Sequence, residues 1–271
     1  MDIRLENVIF RYSDEVKALN NISLLIRQGQ HVALIGHNGS GKTSLAKHLN
    51  GLLRPSEGTV WIGSHQPKDM SVAALAGIVA LSFQNPDDQI SKRRVWDEVA
   101  FGPRNLKYSK NRTHNLVEMS LLLFDLIPFK NHNPYDLGYS ERKRVALASI
   151  IAMDTPIVIF DEPTAGLDAK EISLFKTVLD KLQQENKTVI IICHDMDFVA
   201  EQISRVLCLK NGEIMFDGPS RTAFHDRDLL ASCRLRQPQI ARLSSHFGFV
   251  EPALTPAEFV DEYSSLQRES I

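Results

Sequence analysis

A continuous apolar run, "HVALI" at residues 31–35, ends in the glycine-rich stretch "GHNGSGKT" at 36–43. An unbroken apolar run of that length reads as a strand buried on both faces of a parallel sheet. Leu45, Leu49, Leu52 and Leu53 then recur at helical spacing, and "RPSEG" at 54–58 is expected to stop that helix. The loop fits G-x-x-x-x-G-K-[ST] at every fixed position, in the strand-to-helix context that a phosphate-binding loop requires.

The residue types explain the fit. Gly39 and Gly41 can take positive φ, so successive backbone N–H groups can turn inward toward an anion. The following helix adds its positive N-terminal end. Lys42 is expected to reach the β- and γ-phosphates of a nucleoside triphosphate, and Thr43 to ligate Mg²⁺. The expected cradle is Gly36, His37, Asn38, Gly39, Ser40, Gly41, Lys42, Thr43 and Ser44.

A metal beside phosphates needs a carboxylate. "IVIFDEP" supplies Asp161 and Glu162 at the end of a second buried strand. Asp161 is expected to hold Mg²⁺, and Glu162 to orient or deprotonate an attacking water. His194 follows a third buried strand, "TVIIIC" at 188–193, at the carboxyl end where ligands gather in open α/β sheets. It is placed to contact the γ-phosphate.

Around these strands the pattern alternates. Ile3 and Leu5, "NISLLI", "GTVWIG" and "IVALSF" read as further strands, and residues 95–153 turn largely helical, broken at Pro103, Pro128 and Pro134. Ile172, Phe175, Leu179 and Leu182 line one helix face, and "RVLCLKNGEIMFDG" reads as a hairpin turning at Asn-Gly. The fold class expected is α/β, a P-loop NTPase (RecA-like) core with a mainly parallel sheet. Residues 1–84 form its first part with N-terminal antiparallel strands, 85–154 an inserted helical subdomain, 155–219 the second part, and 220–271 a helical extension with Phe259, Tyr263 and Leu266 on an apolar face.

Charge is nearly balanced, 31 Lys plus Arg against 33 Asp plus Glu for a net −2, so no nucleic-acid partner is expected. The start "MDIRLENVIF" does not read as a signal sequence, and the longest apolar candidate, 72–83, falls short of the roughly 20 residues that span a bilayer. Three cysteines without metal-ligand spacing suggest a reducing compartment, with Cys193 and Cys208 as buried small hydrophobes.

These motifs, in this order, resemble the nucleotide-binding subunit of ATP-binding-cassette transporters over residues 1 to 220. "GHNGSGKT" and "IVIFDEP" match its Walker A and B motifs. The resemblance implies that Gln84, in "SFQNPDDQI", contacts Mg²⁺ and couples to a membrane partner. It makes Asp168, in "AGLD", part of the D-loop, and His194 the switch histidine. It also implies that Tyr12 stacks on adenine; a core aromatic on a strand is the competing reading. "FQNPDDQI", "VWDEVAFGPRNL" and "DEPTAGLD" are similar to the ATPases of energy-coupling factor importers, which take up vitamins or transition-metal ions. In that group the tail helps two ATPases associate; an amphipathic cap on the same domain is the alternative.

One motif departs. The family signature is usually L-S-G-G-Q, with tyrosine often third in this group, and here the stretch is "LGYSE", so Gly138, Tyr139, Ser140 and Glu141 fill it. The family's signature closes over ATP held by the other subunit. Gly138 has no hydroxyl to give, Ser140 adds a Cβ, and Glu141 brings a carboxylate toward phosphate. A weak signature would favour a heterodimer with an intact partner; a functional swap of Ser and Gly is the other reading.

The expectation is therefore an ATP- and Mg²⁺-dependent ATPase that energises micronutrient uptake from the cytoplasmic face of the membrane. Its partners would be a second ATPase, a membrane coupling protein and a substrate-binding membrane protein. A non-transport ATPase of the same superfamily and a weakly hydrolysing regulatory subunit are the alternatives.

Overall fold

The computed structural model describes residues 1–13, 16–249 and 251–269. Among the described residues nine strands form two sheets. β1 (Ile3–Arg11), β2 (Lys17–Ile26) and β4 (Glu57–Ile62) make an antiparallel sheet in the order β2-β1-β4. β3 (His31–Ile35), β5 (Val79–Ser82), β6 (Ile157–Asp161), β7 (Thr188–Ile192), β8 (Arg205–Lys210) and β9 (Glu213–Pro219) make the second, ordered β5-β6-β7-β3-β8-β9. Its first five strands are parallel, and β9 returns antiparallel on β8. This is the expected α/β architecture with a mostly parallel core.

The apolar runs are continuous because the central strands bury both faces. Val32, Leu34, Ile159 and Ile190 point to one core, shared with the antiparallel sheet and the helix Lys42–Leu49. Ala33, Ile35, Phe160 and Ile191 alternate with them and point to the other core, shared with the helices. Each such Val, Leu, Ile or Phe side chain removed from water contributes roughly 2 kcal/mol. Register carries this layering across the sheet: Leu34 pairs with Ile192, and Ile192 pairs with Asp161.

The helical block sits between β5 and β6 in the chain. Lys110–Leu123 and Tyr139–Ala152 are its longest helices, joined through Val117, Leu121, Phe124, Val145 and Leu147, all buried. Pro134 opens a short 3₁₀ turn and Pro128 is the second residue of another. Pro103 lies within the helix Phe101–Asn105, whose separation from Val95–Val99 at Ala100 accommodates the missing N–H.

One helix boundary differs from expectation. The helix after the glycine loop ends at Leu49, and Leu52, 45% exposed, lies beyond it. Gly51 takes φ 74, a left-handed cap that stops the helix before the proline.

Beyond β9 come the helices Ser220–His225, Arg227–Ser232, Gln239–His246 and Pro256–Glu269. The extension is anchored to the core where Gln239 donates its backbone N–H and its amide to Asp197 at 2.6 and 3.0 Å, and within the extension Arg221 pairs with Glu258 at 2.9 Å. The rings of Phe247, Phe249, Phe259 and Tyr263 cluster within it. The side chain of Leu266 lies outside the described residues. Cys193, Cys208 and Cys233 are buried free thiols, and burial pushes the first two up to about 12. Among the described residues no helix is long and apolar enough to cross a membrane.

Candidate active site

The four neighbouring strands β5, β6, β7 and β3 deliver their carboxyl ends to one place. β3 runs into the glycine loop, β5 into Gln84, β6 into Asp161 and Glu162, and β7 into His194. A cavity of about 300 Å³ lies there. Of the residues singled out in the sequence, Tyr12, Asn38, Gly39, Gly41, Lys42, Thr43, Ser44, Gln84, Asp161, Glu162 and His194 all line it.

The loop is shaped by its glycines and braced from outside. Gly36, Gly39 and Gly41 have φ of 148, 80 and 108. A Cβ on Gly41 would meet the Ala18 carbonyl of β2 at 2.6 Å, so strand and loop touch backbone to backbone. Gly212, in the β8–β9 turn, donates to the Ser40 carbonyl at 2.9 Å and accepts from Asn20 N–H at 2.8 Å. Ser40 is fully buried. Lys42 folds back over the loop, its Nζ donating to the carbonyls of Gly36 at 2.8 Å and His37 at 2.9 Å. Burial lowers its pKa, while Glu162 and Asp161 act the other way.

Thr43 Oγ1 donates to Asp161 Oδ2 at 3.1 Å. Desolvation raises the Asp161 pKa against the pull of Thr43 and nearby lysines. Glu162 lies next along the chain at φ 51, a left-handed conformation that costs a non-glycine residue roughly 1 kcal/mol or more. Its carboxylate accepts the backbone N–H of His194 at 3.3 Å and stands 3.4 Å from His194 Nε2. Burial pushes its pKa up to about 7. Burial likewise lowers the His194 pKa, with Lys42 adding to the effect.

Hard oxygen donors in a phosphate cradle suit Mg²⁺, which keeps several waters and takes few protein ligands. Thr43 and Asp161, already within hydrogen-bond reach, fit that description, and Gln84 lines the same cavity. No cluster of three or more His, Cys, Asp or Glu forms a self-sufficient metal cage among the described residues.

Tyr12 is not a core aromatic. It is 56% exposed at the cavity mouth, its hydroxyl 3.1 Å from Ser44 Oγ and its ring edge-on to Phe10 at 4.8 Å.

Other expected residues lie outside the cavity. Asp168 caps the helix Ala169–Gln184, accepting from Glu171 N–H at 2.8 Å, while Glu171 accepts from Asp168 N–H at 2.9 Å. Gly138 caps the helix Tyr139–Ala152 with no side-chain hydrogen bond, and Ser140 and Glu141 occupy its first turn. The Glu141 carboxylate folds against Gly138, in the space a Cβ would take. Tyr139 lies over Gly166, where a Cβ would meet its Cε1 at 2.5 Å.

A second, more apolar cavity of about 530 Å³ opens beside the segment after Gln84, with Ala73, Phe101, Leu106, Ile150 and Met153 in its wall. The sequence reading also missed Lys143. It is 1% exposed, and its Nζ donates to the Gln84 carbonyl at 2.6 Å. The signal was present: Lys143 precedes Leu147 and Ile150 by four and seven residues, on the buried face of its helix.

Residues 19–165 match the family described as ABC transporter. With the loop, the carboxylate pair and the histidine on adjoining strand ends, the chain belongs to that family and is one of its ATP-binding cassettes, an ATPase by class. Its relatives include the energy-coupling factor transporter ATP-binding protein EcfA of Methanocaldococcus jannaschii, 36% identical over 243 residues, 89% of this chain and 87% of that one. The solved structure of cbiO1 from Clostridium perfringens, part of the ABC transporter complex cbiONQ, superposes with a TM-score of 0.74 at 31% identity, covering 90% of this chain and 98% of that one. A dimeric ATP-binding cassette in a post-hydrolysis state, bound to ADP and Pi, gives 0.73 at 28% identity over 81% of this chain and 99% of that one. The chain spans less than half of some curated relatives, 43% of one from Caldanaerobacter subterraneus that is 39% identical over 246 residues, 91% of this chain.

Proposed function

We propose that this chain is the ATP-hydrolysing subunit of an energy-coupling factor importer for a vitamin or transition-metal ion, acting with Mg²⁺. The convergence of four strand ends on one cavity carries the reading. The loop amides and Lys42 hold the phosphates, and Tyr12 offers its exposed ring to the base. Thr43 and Asp161 hold the metal, aided by Gln84. Bound there, Mg²⁺ would supply positive charge against the phosphates. Glu162 accepts a proton from the attacking water, and a pKa near 7 suits a base at neutral pH. His194, held 3.4 Å from that carboxylate, orients the same water and the γ-phosphate.

Two copies, or this chain and a second ATPase, close around nucleotide, with residues 138–141 of one facing the other's phosphates. The membrane coupling protein docks at the apolar cavity beside the Gln84 segment, on the inner face of the membrane. Units at 1–84, 85–154, 155–219 and 220–271 serve as first core part, coupling insert, second core part and dimerisation element. Exposed Leu243, Phe247 and Val260 support the last role.

The test is ATP hydrolysis by the chain alone and with the proteins that copurify from native membranes. A small substrate-binding membrane protein and stimulated turnover support the reading; no affinity for Mg-ATP in a well-folded chain overturns it. A regulatory subunit with weak hydrolysis is the second reading, favoured by the Glu141 carboxylate lying on Gly138, where the family's serine would stand. In that case Glu141→Gln raises turnover several-fold in the assembled complex.

A further inference from the structure

Lys143 is a poor choice for stability. A fully buried ammonium whose one hydrogen bond goes to a neutral carbonyl leaves two donors unmet, and no ion pair among the described residues includes it. Burial pulls its pKa down to about 8, against the stabilising pull of Asp161 and then Glu162. An apolar side chain of similar length is the cheaper occupant of such a site.

Its position accounts for it. The carbonyl that it holds belongs to Gln84, which lines the nucleotide cavity. A second side chain ties the same segment to the same helix. Gln89 Oε1 accepts the Phe83 N–H at 3.1 Å, and Gln89 Nε2 donates to the Ala146 carbonyl at 2.7 Å and to Ser149 Oγ at 2.9 Å. Backbone on both sides of the Phe83–Gln84 peptide is thus held by the helix Tyr139–Ala152, which begins at the altered signature. Gln89 and Ser149 also form wall of the apolar cavity. The helix, the cavity wall and Gln84 are one mechanically linked unit.

We propose that Lys143 and Gln89 are positioning residues that tie Gln84 to the helix Tyr139–Ala152, so that displacement of this helix, or of the apolar cavity wall, moves Gln84 relative to bound nucleotide. The proposal rests on the nucleotide reading above and assigns two residues that act through Gln84. A tie of this kind sets the place of Gln84 without touching the phosphate loop, so it affects turnover and metal use more than nucleotide capture.

Lys143→Met in the full-length chain, assembled with its native partners, tests it by three measurements. Thermal stability is expected to stay level or rise, because a desolvated charge is removed. Amide hydrogen exchange over residues 83–90, measured without nucleotide, is expected to accelerate at least about tenfold. The kcat is expected to fall about tenfold or more with KM for ATP within about twofold of wild type, and half-maximal Mg²⁺ to rise. Unchanged exchange over 83–90 together with unchanged kcat overturns the proposal. A large loss of stability with exchange raised throughout the chain also overturns it, assigning the ammonium to folding. Should Lys143→Met not fold, Gln89→Met carries the same measurements, and wild-type behaviour of that variant overturns the tie. Wild-type protein that fails to bind Mg-ATP sinks the nucleotide reading, an outcome separate from any of these.

Discussion

The carboxylate of Glu162 meets His194 twice, once through the backbone N–H at 3.3 Å and once facing the imidazole Nε2 at 3.4 Å. β6 and β7 are neighbours, and that pairing puts the carboxylate and the imidazole side by side at the strand ends. Folding raises the Glu162 pKa from 4.5 to about 7, chiefly by burial. Between those values the folded state holds more protons on this group than the unfolded state does. Stability therefore falls as pH rises through that interval, by up to about 3 kcal/mol from this group. Glu162→Gln is expected to raise Tm at pH 8, leave it unchanged near pH 4, and cut ATPase at least about a hundredfold while Mg-ATP binding persists. Calorimetry at the two pH values checks the first part; a variant no more stable at pH 8 than wild type refutes the buried-base account.

Thr43 and Asp161 predict a metal response. Chelation with EDTA is expected to abolish hydrolysis, and excess Mg²⁺ to restore it. Asp161→Asn keeps the shape but removes the charge, so its half-maximal Mg²⁺ is expected to rise about tenfold or more. Titrating Mg²⁺ at saturating ATP reads this directly, and a wild-type midpoint counts against metal ligation by Asp161.

Tyr12, exposed at the mouth of the cavity, has little to stabilise in the folded chain beyond its contact with Phe10 and Ser44. Tyr12→Ala is expected to raise KM for ATP about tenfold with kcat nearly constant, and Tyr12→Phe to restore most of the affinity, since stacking uses the ring. Steady-state kinetics of the two variants decide, and an unchanged KM removes Tyr12 from the site.

Gly166 takes φ 80 beneath the Tyr139 ring. Gly166→Ala is expected to cost about 1–3 kcal/mol, from the left-handed backbone and from displacement of the ring. Adding Tyr139→Ala should return only the steric part. A double-mutant cycle by denaturant unfolding separates the two; additive effects show that the ring and the glycine are uncoupled.

Much of this was legible in the order of residues. Unbroken apolar runs ending in glycine or acid marked β3, β6 and β7, because strands covered on both faces need no polar alternation. The cradle, the carboxylate pair and the histidine each followed such a run, so strand and site were read together. The end of the first helix was not legible, since Leu52 keeps the helical period after Gly51 has already turned the chain. Lys143 was overshadowed by its neighbours: between Arg142 and Arg144 it reads as one more solvated charge unless its spacing to Leu147 and Ile150 is weighed, and the packing of the helix turns both Lys143 and Arg144 inward. The place of Asp168 in a helix cap depended on Glu171 three residues on, a local pattern overshadowed by the motif around it.

The glycine loop leans on the β8–β9 turn and on β2, and owes its outline to them. Walls braced in this way, apart from Lys42, will greet the diphosphate and the triphosphate alike. Knowledge of whether the terminal phosphate is still attached must then reside with Lys42 and with the groups at the ends of β5, β6 and β7, and substitutions confined to the glycines of the loop should weaken both nucleotides together without altering the preference between them.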